Sequence, residues 1–254
     1  MKNTKLEPVA LFAEESGVQR STLKSQVADK LKYMISTELI SEGEFLPSER
    51  NLSETFSVSR ETIRGALKIL SAQKFIEISR GSGTKVLKCA GSSDDTSEAS
   101  KGVFPAIDML QSYDVTTVAE TRRVVEVGIL RSAAMNISDD DLDRLSVLMD
   151  TQQKALDDTV AFQIADREFH NIIYYACRND LLAGIASNIY AYALEHRNMA
   201  LKAERATERS LREHRQIYRA LLQHDPDAAE RAITSHVDSI FKSTIMMLQT
   251  SDND

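Results

Sequence analysis

Beyond Ala106 the chain carries a single proline, Pro226, and few glycines, while its apolar residues recur at helical spacing. A segment so poor in helix breakers, with no alternating strand pattern, is restricted to helices packed on helices. The spacing predicts helices over 114–135, 138–157, 159–178, 180–201, 206–223 and 226–249, with a short one near 104–111. Ser138 and Asp141 resemble a capping box, in which a local pair satisfies first-turn amides. Asp225-Pro226 is a second start signal, because proline's missing amide costs nothing at the first helical position. The expected outcome is an all-helical bundle of six to seven helices.

The amino-terminal third follows a different grammar. A first helix is expected from about Leu23 to Leu39, with Val27, Leu31, Met34 and Ile35 as its apolar stripe. Leu46 to Val86 then reads as two short helices, a tight turn between them, and a β-hairpin tipped by Arg80-Gly81-Ser82-Gly83. Ser48 after Pro47 begins the first of these helices, and Ser59 restarts the pattern after Ser57-Val58, each hydroxyl being able to accept from unpaired first-turn amides. Arg60 and Arg64 lie four apart and share a face of the second helix, opposite Ile63, Leu67 and Leu70. Two guanidinium forks at the start of a half-buried helix suit the major groove, where arginine bonds a guanine edge in two places or clamps phosphate. The hairpin would be a wing whose glycines admit a sugar-phosphate rail. A solvated helix with ordinary surface arginines beside an unrelated hairpin is the plain alternative.

This segment resembles the winged helix-turn-helix of GntR-family transcriptional regulators, in its Leu-Pro-Ser-Glu-Arg opening (46–50) and its Ser-Arg-x-Thr-x-Arg recognition helix (Ser59, Arg60, Thr62, Arg64). The resemblance implies DNA contact by Arg50, Ser59, Arg60, Thr62, Arg64, Arg80 and Gly81. Arg60 and Arg64 would reach bases, and Arg50 would fix the docking angle through phosphate.

The formal charge of −7 is unfavourable for a nucleic-acid binder, but it is unevenly spread. Ser21 to Lys88 holds 11 Lys/Arg against 8 Asp/Glu, a local +3, which leaves −10 for the remainder. A mildly basic module joined to an acidic one fits local phosphate contact, and so small a surplus predicts that one copy binds weakly. The residues divide into an arm over 1–20, the DNA-binding module over 21–88, a linker over 89–102 rich in Ser, Asp and Gly, and a helical effector-binding and dimerisation region over 103–250. Two cysteines, Cys89 and Cys177, offer no disulfide framework and fit a reducing cytoplasm. No apolar run approaches the roughly 20 residues that span a bilayer.

All five histidines lie in the helical part. Asp166 and His170 are four apart on one helix, while His214 and His236 sit among apolar residues on two later ones. Four such groups could converge inside a bundle; a hydrogen-bonded core histidine and a surface Asp–His pair are the competing readings. One oxygen and three imidazole nitrogens suit Zn, Ni, Mn or a related divalent ion. Residues from about Val115 to Met247 look like the FCD ligand-binding domain of FadR-like GntR regulators, through TRRVVEVGILRSAA, DREFHNIIYYACRND, EHRQIYRALLQHDPDAAERAI and the final SHV. In metal-containing members one Asp and three His hold the ion, which the resemblance maps onto Asp166, His170, His214 and His236. Arg122 begins the matching R-x-x-x-E and could receive a carboxylate from the effector, or simply pair with Glu126 one turn on. His224 reads as a helix C-terminal cap and His196 as solvated.

The resulting expectation is a non-enzymatic, ligand-responsive regulator, a repressor, binding palindromic double-stranded DNA as a homodimer. Its helical region would hold a divalent metal and a small carboxylate or sugar-acid effector. A metal-free regulator of the acyl-CoA-binding kind is the nearest alternative. A metalloenzyme fused to a DNA-binding module is a remoter one, since the chain lacks H-E-x-x-H, a phosphate-cradling glycine loop and any nucleophile–base pair.

Overall fold

The computed structural model of the protein describes residues 22–36, 40–79, 83–87, 113–192 and 205–251. The expected arm, the linker, the wing tip at Arg80 and Gly81, the short helix near 104–111, Cys89 and His196 lie outside the described residues.

The amino-terminal module is built from α1 (Leu23–Ser36), β1 (Phe45–Leu46), α2 (Glu49–Thr55), α3 (Arg60–Ala72), β2 (Ile76–Ser79) and β3 (Gly83–Val86). Both expected serine caps form. Ser48 accepts from the Asn51 amide ahead of α2, and Ser59 accepts from the Thr62 amide ahead of α3. Between them Ser57 turns the chain through the left-handed region at φ 51°. Ile63, Ala66, Leu67 and Leu70 of α3 are buried, and α3 packs across α1, whose Val27, Leu31, Met34 and Ile35 face it and the core. The hairpin pairs Ser79 with Gly83 and Ile76 with Val86 in antiparallel register. A third strand joins it, which the sequence did not foretell: two-residue β1 pairs Phe45 with Lys85 and Leu46 with Thr84, so the order is β1-β3-β2. That short strand brings Phe45 over Gly83. There φ is +94°, and an added Cβ would stand 3.2 Å from the Phe45 ring.

The carboxy-terminal part is helical throughout its described residues: α4 (Val115–Asn136), α5 (Asp139–Lys154), α6 (Thr159–Ala176), α7 (Asp180–Tyr192), α8 (Ala206–Leu222) and α9 (Pro226–Ser251). Ser138 caps α5 by accepting from the Asp141 amide while donating to its carboxylate. Asp225 opens α9 by accepting from Asp227 and Ala228. α6 is central, with every residue from Val160 to His170 buried, so it meets neighbours on all sides. Side chains such as Phe162, Phe169 and Ile173 anchor it at about 1.5–3 kcal/mol each for full burial. α4 packs chiefly along α9, and α5, α7 and α8 complete the bundle. Cys177 is buried packing, its thiol directed at Asn179 O. His224 closes α8 as expected: it turns through φ 48° and its amide donates to Leu221 O, while its Nδ1, 2.8 Å from Ala134 O, also caps the last turn of α4.

The two parts share one apolar core. α2 rests on α5 and α6, β1 touches α6, and Lys30 of α1 pairs with Glu168 of α6 at 2.5 Å.

Candidate metal centre and nucleic-acid interface

Three helices deliver one imidazole each to a single buried point. His170 comes from α6, His214 from α8 and His236 from α9, and all are at most 1% exposed. Their ring centroids are 5.3, 5.2 and 4.9 Å apart, and one nitrogen from each lies within 4.8 Å of the others. Asp166, one turn before His170, adjoins the group: its Oδ1 is 3.4 Å from His214 Nε2, and its Oδ2 accepts the Tyr190 hydroxyl.

Outer partners orient the rings. His214 Nδ1 bonds Gln152 Oε1 on α5 at 2.8 Å, and His236 Nδ1 bonds Glu213 Oε2 on α8 at 2.8 Å. A carboxylate only accepts, so Glu213 fixes the His236 proton on Nδ1 and leaves the Nε2 lone pair directed at the cluster. Phe169 stacks on His214 with centroids 4.5 Å apart, closing the side away from solvent. Three imidazoles, two of them with outward-bonded Nδ1 atoms, beside a buried carboxylate form a donor set that fits a divalent cation. Neither Gln152 nor Glu213 was legible in sequence: Gln152 lies on a helix with no other site residue, and Glu213 reads as an ordinary surface acid beside His214.

Arg122 forms the pair with Glu126, Nε to Oε1 at 2.5 Å, both fully buried, and the same Oε1 accepts the Tyr174 hydroxyl at 2.7 Å. Burial, the largest single influence, would lower the arginine's proton affinity; the charge and hydrogen bond of Glu126, joined by Tyr174 and Tyr190, together outweigh it, so the guanidinium is held even more firmly protonated than usual. Burial and the neighbouring Glu126 likewise push the Tyr174 phenol well above its ordinary range. One Arg122 nitrogen, Nη2, has no hydrogen-bond partner among the described residues. The guanidinium lies 5.5 Å from the Tyr190 ring centroid, and that same ring is 5.3 Å from His170. Tyr190 is thus the wall shared by the cluster and the buried cation.

At the opposite pole, α3 presents Arg60 and Arg64 to solvent, as the four-residue spacing requires. Arg64 forms a two-pronged pair with Glu49 of α2, Nε to Oε1 at 3.2 Å and Nη2 to Oε2 at 2.9 Å. The Arg64 hydrogen bond lowers the Glu49 carboxyl below its usual range. Arg50, on the exposed face of α2, pairs with Glu54 at 3.0 Å. Ser59 and Thr62 bond each other through their hydroxyls at 2.9 Å, so their side chains first serve the helix start.

A profile of bacterial regulatory proteins of the gntR family matches residues 23–86, and an FCD domain profile matches residues 117–239. The chain is 28% identical over 248 residues to the HTH-type transcriptional repressor NanR of Enterobacter sp. (strain 638), covering 92% of this chain and 94% of that one. With NanR of Cronobacter sakazakii it shares 29% identity over 225 residues, covering 87% and 85%. Among solved structures, E. coli McbR/YncC aligns with a TM-score of 0.50 and 17% identity over 91% of this chain and 99% of that one, a likeness of fold alone.

Proposed function

Because the chain belongs to the GntR family of bacterial regulatory proteins and carries an FCD domain, we propose that it is a transcriptional repressor whose helical region, 103–250, senses a small carboxylate through a bound divalent ion and adjusts operator binding by the module at 21–88. The observation that carries this is the meeting of three imidazoles from three helices, with one ligating nitrogen apiece within 4.8 Å of the others. His170, His214 and His236 would hold the ion, with Asp166 as the oxygen ligand. Bound there, a zinc, nickel or manganese ion supplies concentrated positive charge and exchangeable coordination positions to which a carboxylate can bind. Arg122, with Nη2 unused behind Tyr190, would take a further acidic oxygen of the effector. Sugar acids and hydroxy-acids have the matching chemistry.

On DNA, Arg60 and Arg64 would reach base edges, Arg50 the phosphates, and the hairpin at Arg80 and Gly81 the adjoining rail. Ser59 and Thr62 would support them through the helix start. Arg64 must exchange Glu49 for the duplex, a small cost for a solvent-exposed pair. A single module with a surplus of +3 favours a homodimer on a palindrome, joined through the helical regions, with residues 89–102 as linker. The named relatives are repressors, which supports the same direction of control here. No helix among the described residues is long and apolar enough to cross a membrane.

The test is metal analysis of protein purified without a polyhistidine tag, paired with a gel shift. About one divalent ion per chain is expected, lost in His214→Ala, with operator binding weakened in Arg60→Ala and Arg64→Ala. Metal-free protein unaffected by His214→Ala would support the acyl-CoA type of regulator. Unchanged DNA binding by both arginine variants would refute the interface.

A further inference from the structure

Asp166, Arg167 and Glu168 are consecutive on α6 and all are at most 7% exposed. Successive residues of a helix point about 100° apart, so three adjacent side chains address three neighbourhoods. Asp166 faces the histidine cluster. Glu168 reaches Lys30 of α1. Arg167 lies between two aromatic rings, 5.1 Å from the centroid of Tyr190 on α7 and 4.8 Å from that of Tyr33 on α1. The Tyr190 hydroxyl is the group bonded to Asp166. An unbroken run of contacts therefore leads from the cluster, through Asp166, Tyr190 and Arg167, to Tyr33 in the amino-terminal module.

We infer that Arg167 is the positioning residue that couples occupancy of the Asp166–histidine site to the placement of the DNA-binding module. The inference rests on the metal reading above and adds its route of control. Arg167 Nη1 is buried without a hydrogen-bond partner among the described residues, and the guanidinium lies beside two ring faces, an arrangement easier to exchange than a two-pronged carboxylate pair. Burial raises the Tyr33 phenol above its ordinary range against the opposing charge and hydrogen bonding of Arg167, so the ring stays neutral beside the guanidinium. A cavity of about 700 Å³ opens beside it, lined by Tyr33 and Met34 of α1, Arg167 and Ile172 of α6, and Ser187 of α7, which gives α1 room to shift. α1 in turn carries α3, with the Lys24 side chain lying against Gly65. When the Asp166 carboxylate turns to a ligand, the Tyr190 hydroxyl loses or changes its acceptor, the ring tilts, and Arg167 moves relative to Tyr33. The recognition helix follows α1.

The experiment measures Zn²⁺ affinity by chelator competition, with and without a duplex selected from a random pool by the wild-type protein. By reciprocity, whatever factor DNA imposes on Zn²⁺ affinity, Zn²⁺ imposes on DNA affinity, and couplings of this kind are about five- to 150-fold. The wild type is expected to show a coupling of about fivefold or more. Arg167→Gln and Tyr33→Leu should reduce it to about one while both ligands still bind. Tyr33→Phe, which keeps the ring, should retain it, and thermal melts of every variant check the fold. Coupling that persists in folded Arg167→Gln and Tyr33→Leu, or a wild type that binds both ligands without coupling, overturns the relay and leaves the metal reading intact. A wild type that takes up no Zn²⁺ overturns both.

Discussion

Removing Arg122 alone should be among the most damaging single changes in the helical region. Arg122→Met leaves Glu126, which is 1% exposed, with the Tyr174 hydroxyl as its remaining named partner. Breaking a buried pair by deleting one member costs about 3–5 kcal/mol, because the surviving charge is stranded. At roughly 2–4 °C per kcal/mol for a chain of this size, the melting temperature should fall by about 6–20 °C. Replacing both members, as Arg122→Met with Glu126→Leu, removes the charge along with its partner. It leaves the Tyr174 hydroxyl without an acceptor, worth about 1–3 kcal/mol. The double variant should therefore be clearly more stable than Arg122→Met. Differential scanning calorimetry of the four members of the cycle, each at the same metal loading, measures this. If the two single losses simply add in the double variant, the pair is not interacting as argued and the electrostatic account of this buried pair on α4 fails. The double variant also separates roles: it should stay folded yet lose response to carboxylates, if Arg122 receives one.

Three other outcomes are expected. Glu49→Gln frees Arg64 from its two-pronged carboxylate and should tighten DNA binding only modestly, as expected for so exposed a pair; anisotropy titrations that show weaker binding would argue that Glu49 orients Arg64 for the groove. Gly83→Ala places a Cβ 3.2 Å from the Phe45 ring at φ +94° and should destabilise the wing by about 1–3 kcal/mol, seen as a lower melting temperature or loss of DNA binding; a neutral result would mean that β1 does not hold this register. Gln152→Leu removes the acceptor of His214 Nδ1 and should weaken metal affinity about 10- to 100-fold in chelator competition, and affinity equal to wild type would show that the ring is oriented by packing alone.

Local features of this fold were written in short stretches of chain. Ser48, Ser59, Ser138 and Asp225 each announce a helix start that forms, because a cap is decided by a hydroxyl or carboxylate and amides within three residues. Periodicity gave α1 and α4 to α9 to within a few residues wherever their ends are described, and the exposed and buried faces of α3 follow from the same spacing. β1 escaped notice since two residues carry no period, and its strand character comes from pairing with β3. His224 was readable as a cap but not as a cap for α4, since a helix face says nothing about which helix will lie against it.

The sequence by itself determined a winged helix-turn-helix followed by a helical bundle, and it supplied three histidines and an aspartate on core-leaning faces. Tertiary packing decided that His170, His214 and His236 meet, that Gln152 and Glu213 orient two of them, and that Arg122 turns to Glu126. It alone placed Arg167 between Tyr190 and Tyr33. The physical reason is one of range: backbone hydrogen bonding and side-chain period act within a turn or two, whereas the company a buried face keeps is settled when whole helices pack ridge into groove.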